Sequence, residues 1–206
     1  MVYKSRIKFA IDNFIIDNYF LPMKNIYELK ETADSGKSVL KVNIENENIC
    51  IEDYDNKPKC VFTREDKKYC MRKSVDHVLL LNDNDNWILH LIEMKSSLGN
   101  RTWIEVKGKF RASYLNMKAL CEFLGISLSS VCTYTTFEKE SFNTIQNLAD
   151  PKTILPMLGE KAIDPKKDEW DKNIVTLNFG EGISFPHKSV KMTRNPNGEL
   201  VGELSI

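Results

Sequence analysis

Two dense apolar runs, Val75 to Leu81 and Trp87 to Met94, stand on either side of the turn-forming stretch Asn82 to Asn86. Runs of this length bounded by turn residues predict two central strands of a sheet. The second run is apolar on both faces, as expected of a strand covered on both sides. Yet both carry charge at their far ends: Asp76 opens the first, and Glu93 closes the second just before Lys95. Successive strand residues face opposite ways, so Glu93 and Lys95 share one side while Ile92 and Met94 take the other. A tight hairpin runs the strands antiparallel and brings Asp76 opposite Glu93 or Lys95, to within a residue or two. Charges on a buried strand need a partner or a metal.

The flanking segments predict an α/β unit. From Arg6 to Tyr19, residues Ile7, Phe9, Ala10, Phe14, Ile15 and Tyr19 recur at helical intervals until Pro22. A second short helix is predicted through Ile26, Tyr27, Leu29 and Ala33, closed by Gly36 and carrying Glu28. Val39 to Ile44 and Ile49 to Tyr54 alternate in polarity and read as a hairpin about Glu45 to Asn48. Lys107 to Leu124 has a helical period with Gly125 as its stop, and Ser130 to Phe137 is a β-branched, aromatic strand. Asn143 to Leu158 is ambiguous, with a helix breaking at Ala149-Asp150-Pro151 as one reading. Beyond it, Ile174 to Phe179, Val190 to Thr193 and Leu200 to Leu204, the last two about the turn Asn195-Pro196-Asn197-Gly198, make the tail β-rich. The expected organisation of the 206 residues is one domain, with a core over about 6–140 and an extension over about 141–206.

Composition limits the partners. Lys plus Arg and Asp plus Glu both number 29, so no global field draws in nucleic acid and any attraction is local. The basic stretches Lys107, Lys109, Arg111 and Lys188, Lys191, Arg194 read first as solvated surface. No apolar stretch approaches the ~18 residues a membrane span needs, and no leader pattern opens the sequence. The odd cysteine count (Cys50, Cys60, Cys70, Cys121, Cys132) argues against a disulfide framework, and CxxC-type zinc pairs are absent. A cytoplasmic protein without membrane contact is the expectation.

Asp76 and Glu93 suffice to hold a hard divalent cation such as Mg²⁺, which takes one or two carboxylates plus water and phosphate oxygens; the backbone carbonyl of Met94 can add a ligand. Such a metal polarises a phosphodiester and acidifies bound water, while Lys95 orients that water or meets the charge developing at phosphorus. His77 and His90 fall on the other side by parity and read as packed histidines, His187 falls in a loop, and Trp103 and Tyr114 read as core.

Ser74-Val75-Asp76, Ile92-Glu93-Met94-Lys95 and the helix from about Val106 resemble the core of the PD-(D/E)xK nuclease superfamily, over about the middle third of the chain. The resemblance implies a restriction-endonuclease-like α-β-β-β-α-β core with a mixed central sheet, here followed by the β-rich extension. It implies Asp76 and Glu93 as metal ligands, Lys95 as the catalytic lysine, and Glu28 as the additional acid many members place before the sheet. From the following helix Lys109, Ser113 or Asn116 would reach substrate or water, and Arg101 is a candidate for phosphate contact. Val75 stands where the motif has Pro. The expected activity is a Mg²⁺- or Mn²⁺-dependent endonuclease acting on DNA ahead of RNA, in phage defence, mobile-element or repair biology, with room for a homodimer. The alternatives are a nuclease fold used only for binding or regulation, and a small-molecule hydrolase. Against the latter, no glycine fits a GxxxxGK[ST] phosphate loop.

Overall fold

The computed structural model describes residues 5–31, 37–59, 70–84, 86–142 and 165–206. The chain runs through α1 (Ser5–Phe14), β1 (Ile26–Glu31), β2 (Ser38–Asn43), β3 (Glu47–Ile51), a 3₁₀ turn (Tyr54–Asn56), β4 (His77–Asp83), β5 (Asn86–Glu93), β6 (Ser97–Leu98) and α2 (Asn100–Leu124). There follow β7 (Leu128–Phe137), β8 (Lys139–Glu140), α3 (Pro165–Asp171), β9 (Ile174–Asn178), β10 (Gly182–Lys191), β11 (Thr193–Arg194) and β12 (Leu200–Ser205). The fold is mixed α/β with mixed sheets and no barrel.

The two apolar runs form the antiparallel pair β4 and β5, in the interior of a six-stranded sheet ordered β3-β4-β5-β7-β10-β9. β7 lies parallel to β5 and needs a long crossover, which α2 provides. A four-stranded sheet, β1-β2-β12-β11, covers the other face. Period-two alternation sorts the side chains between the two cores. Val78, Leu80, Leu89 and Leu91 pack with Trp103, Val106, Phe110 and Met117 of α2. Leu79, Leu81, Ile92 and Met94 pack with Leu29, Leu40, Val42, Leu200 and Leu204 of the second sheet. Both faces of the hairpin are therefore dry, as its composition requires.

Several expectations are corrected. The segment carrying Glu28 is the strand β1 rather than a helix. Tyr27 and Leu29 are buried and alternate with exposed Ile26, Glu28 and Lys30, a period of two that the spacing 26, 27, 29 disguised. Its proposed end, Ala33 to Gly36, lies outside the described residues. The segments 39–44 and 49–54 do carry strands, but β2 and β3 do not pair as a hairpin. β2 lies between β1 and β12, whereas β3 pairs with β4 in the other sheet, so the connection turns a corner between layers. α2 starts at Asn100, about two turns before the predicted onset, because Trp103 and Val106 supply an apolar face there. The stretch read as an extension is built into both sheets: β10 pairs with β7, and β12 with β2. His187 accordingly lies in β10, not in a loop.

The turn Asn195 to Gly198 joins β11 to β12 as expected, with Gly198 at φ 81°. The ambiguous segment 143–158 lies outside the described residues. Among the described residues no helix is long and apolar enough to cross a membrane.

Candidate active site

The β4/β5 register pairs His77 with Ile92, and one further step sets Asp76 level with Glu93. Three bonds fix Asp76 and its approach. The Met94 N–H donates to Asp76 Oδ2 at 2.6 Å, the Tyr54 N–H to the Asp76 carbonyl at 2.7 Å, and the Val75 N–H to Ser113 Oγ at 2.9 Å. Glu93, with a side chain 0% exposed, faces the α2 side of the sheet. Its Oε1 lies 2.5 Å from Lys95 Nζ and 2.7 Å from Lys109 Nζ, and Lys109 Nζ is also 3.2 Å from Asp76 Oδ1. Lys95 Nζ further donates to the Met94 carbonyl at 3.2 Å. Two carboxylates and two ammonium groups thus share one half-buried spot with no net charge.

The balance is incomplete at the atomic level. Oε1 of Glu93 sits between the lysines, but its Oε2 is buried without a hydrogen-bond partner. Thr135, level with Glu93 on β7, has a buried hydroxyl that is also unpartnered. Leaving a buried polar group unpaired costs about 1–3 kcal/mol, so a free carboxylate oxygen here is a place for a ligand. Burial pushes the Glu93 carboxyl up to about 7, the charge of Asp76 adds to the shift, and Lys95 and Lys109 oppose it. For Lys109 burial works against the charge, yet Glu93 and Asp76 overcome it and hold the ammonium protonated above its ordinary range. The short ion-pair distances favour the charged pair, with Glu93 the easier partner to neutralise.

Among the described residues no three His, Cys, Asp or Glu side chains converge as a metal cage. A cation here would take oxygens of Asp76 and Glu93, the unpartnered Oε2 among them. It would complete its shell with water, the Met94 carbonyl or substrate oxygens, the habit of Mg²⁺ rather than of zinc.

The other sequence candidates divide. Lys109 joins the cluster. Ser113 and Asn116 are buried on α2 and engaged with the chain entering β4: Ser113 receives the Val75 N–H, and Asn116 Nδ2 donates to the Met71 carbonyl at 2.9 Å. Ser113 thus holds the residue next to Asp76, and Asn116 holds the chain five residues before it. Arg101 lies at the start of α2, 95% exposed in its side chain, and pairs with Glu105 at 3.4 Å. Glu28 is exposed in the second sheet opposite Lys41, so the cluster does not include it. Its strand ends at Glu31, whose charge is felt by both Asp55 and His77. Asp55 in the 3₁₀ turn was not foreseen. Burial raises its carboxyl, Asp76 adds to the shift, and Lys109 opposes it, which ties Asp55 electrically to the cluster. The closely spaced acids Asp53 and Asp55 were the only signal for it in the sequence.

His77 and His90 are buried on the face away from the cluster; His90 Nδ1 lies 2.9 Å from the Tyr134 hydroxyl. Trp103 is core, against Trp170 and His187. Besides Lys109, two further residues of the basic stretches are tied to acids, Lys107 to Glu169 at 2.7 Å and Arg194 to Glu138 at 2.7 Å. A cavity of about 440 Å³ is bounded by Phe14, Ile16, Tyr19, Leu120 and Phe123. It is mostly apolar, with Lys59 and Asn116 on its wall, and lacks any convergence of charges like that at Asp76 and Glu93. Comparison with protein-family models, curated proteins and solved structures returns no match.

Proposed function

We propose that this chain is a divalent-metal-dependent endonuclease of the PD-(D/E)xK kind, hydrolysing phosphodiester bonds in nucleic acid, DNA ahead of RNA. One observation carries the reading. Asp76 and Glu93 stand side by side on a buried hairpin, one oxygen of Glu93 is unpartnered, and Lys95 lies two residues on along the same side. The element order is compatible with it: with β1 and β2 set aside between α1 and β3, and the short β6 before α2, the remaining run of α1, antiparallel β3, β4 and β5, α2, and β7 parallel to β5 resembles the α-β-β-β-α-β succession of that superfamily.

A bound Mg²⁺ or Mn²⁺ supplies Lewis acidity toward a phosphoryl oxygen and acidifies water. The protein does the rest. The N–H of Met94 holds the Asp76 carboxylate in place, and burial of Glu93 excludes water from behind the pair. The Lys95 ammonium, steadied by the Met94 carbonyl and Glu93, is placed to orient the attacking water and to stabilise charge developing around phosphorus.

A second reading is a nuclease fold used for binding or regulation. It draws on the match of two lysines to two carboxylates, which lets the cluster persist without a metal. Cleavage of supercoiled plasmid, single-stranded DNA and RNA in Mg²⁺, Mn²⁺ or EDTA separates the two. The nuclease reading expects metal-dependent cutting that falls about a hundredfold or more in Asp76→Ala and Lys95→Ala. No cutting by a wild type that still binds Mn²⁺ through Asp76 favours the binding reading.

A further inference from the structure

The Lys109 ammonium bridges the two carboxylates. Its Nζ touches Asp76 Oδ1 at 3.2 Å and Glu93 Oε1 at 2.7 Å, whereas Lys95 pairs with Glu93 Oε1. Lys109 comes from α2, not from the hairpin, so its ammonium spans the gap at the end of a flexible four-carbon stem. With its side chain 24% exposed, that stem has a way out to solvent. Asp55, whose carboxylate feels both Asp76 and Lys109, offers the departing ammonium a negative neighbour.

We propose that Lys109 is a resident counter-ion that fills the metal's bridging position and must leave it when a divalent cation enters, freeing its ammonium for the incoming phosphodiester. The inference rests on the metal-site reading above. It implies that the protein alone binds metal weakly, because each binding event must break two ion pairs, and that metal and nucleic acid bind with positive coupling. Before metal entry, Asp76 and Glu93 are matched by Lys95 and Lys109. After entry, the two carboxylates, Lys95 and the divalent ion sum to one excess positive charge, with the displaced Lys109 ammonium a second nearby, and an anionic backbone phosphate offsets one of the two. A purely structural Lys109 would add stability and leave metal affinity unchanged or reduced on its removal.

Mn²⁺ binding, followed by titration calorimetry and the resonance of free Mn²⁺, tests this without any turnover. In the absence of nucleic acid, Lys109→Met and Lys109→Gln are expected to bind Mn²⁺ about tenfold or more tightly than wild type, since the competent state no longer needs the lysine displaced. Lys109→Arg should stay as weak as wild type. Two variants of different polarity guard against one that fails to fold. Equal or weaker binding by both neutral variants, with Glu93→Gln abolishing it, overturns the role of Lys109 and leaves the metal site standing. Mn²⁺ binding that Glu93→Gln leaves intact, or that none of the proteins shows, overturns the metal-site reading itself.

Discussion

At the scale of single residues, the cluster depends on side chains that never touch its open side. Ser113 is the clearest, because its Oγ receives the N–H of the residue just before Asp76. Ser113→Ala leaves that N–H buried and unpaired, which costs about 1–3 kcal/mol. A lower melting temperature is expected together with reduced activity, whereas a role confined to substrate contact would leave melting unchanged. The three histidines of the chain, all buried, lower stability as the solution is acidified. Burial pushes His90 down to about 4 and His187 down to about 3, and lowers His77 as well, against the pull of Asp76. The unfolded chain takes up protons at these rings below about 6.5, while the folded chain refuses them until near pH 4 and pH 3. Their contribution is thus present above about pH 6.5 and lost as pH falls, at about 1.4 kcal/mol per pH unit for each ring fully in that window. Urea unfolding at pH 7.5 and pH 5 should show the fall, and His187→Gln should flatten it. An equal slope in the variant would remove His187 from the account.

At the scale of elements, α2 does most to position the site, since it carries Lys109, Ser113 and Asn116 across the back of the sheet. Its start is pinned at Gly99, whose carbonyl accepts the Trp103 N–H at 2.8 Å while the chain passes close against Ser141. A Cβ at Gly99 would meet the Ser141 hydroxyl at 2.7 Å and its backbone carbonyl oxygen at 2.8 Å, and backbone cannot step aside cheaply. Gly99→Ala is therefore expected to cost about 1–3 kcal/mol and to lower Mn²⁺ affinity by tilting the helix, read by thermal melting and calorimetry. The β4/β5 hairpin was legible in the sequence because its runs are apolar on both faces and its turn is short, which leaves almost no freedom of register. That same constraint made Asp76, Glu93 and Lys95 legible as a group. β1 was not legible, because six residues containing Ile26, Tyr27 and Leu29 fit either period. The first turns of α2 were hidden because Asn100, Arg101 and Thr102 carry no apolar signal before Trp103.

At the scale of the whole molecule, partner choice is what local pattern could not reveal: β2 takes as its neighbour β12, which lies some 160 residues along the chain. Alternation marks a strand but not the strand beside it, and a long-range parallel partner competes with any hairpin nearby. The consequence can be tested by deleting residues 193–206. Leu200 and Leu204, 1% and 2% exposed, close the core shared with Leu40, Val42, Ile92 and Met94. Burying a leucine contributes about 1.5–3 kcal/mol, and six paired positions of the β2/β12 ladder go with them. Against a typical margin of about 5–15 kcal/mol, that loss is expected to abolish cooperative melting. The point variant Leu204→Ala, at about 2–5 kcal/mol, should melt cooperatively at a lower temperature. Ile92 and Met94 flank Glu93 in the chain and face this second core, so uncovering them loosens the strand end on which the carboxylate sits. Mn²⁺ binding should therefore vanish with the fold in the deletion and survive in Leu204→Ala below its melting temperature. A deletion variant that melts cooperatively near the wild-type temperature and still binds Mn²⁺ would show that the six-stranded sheet and its helices form the site unaided.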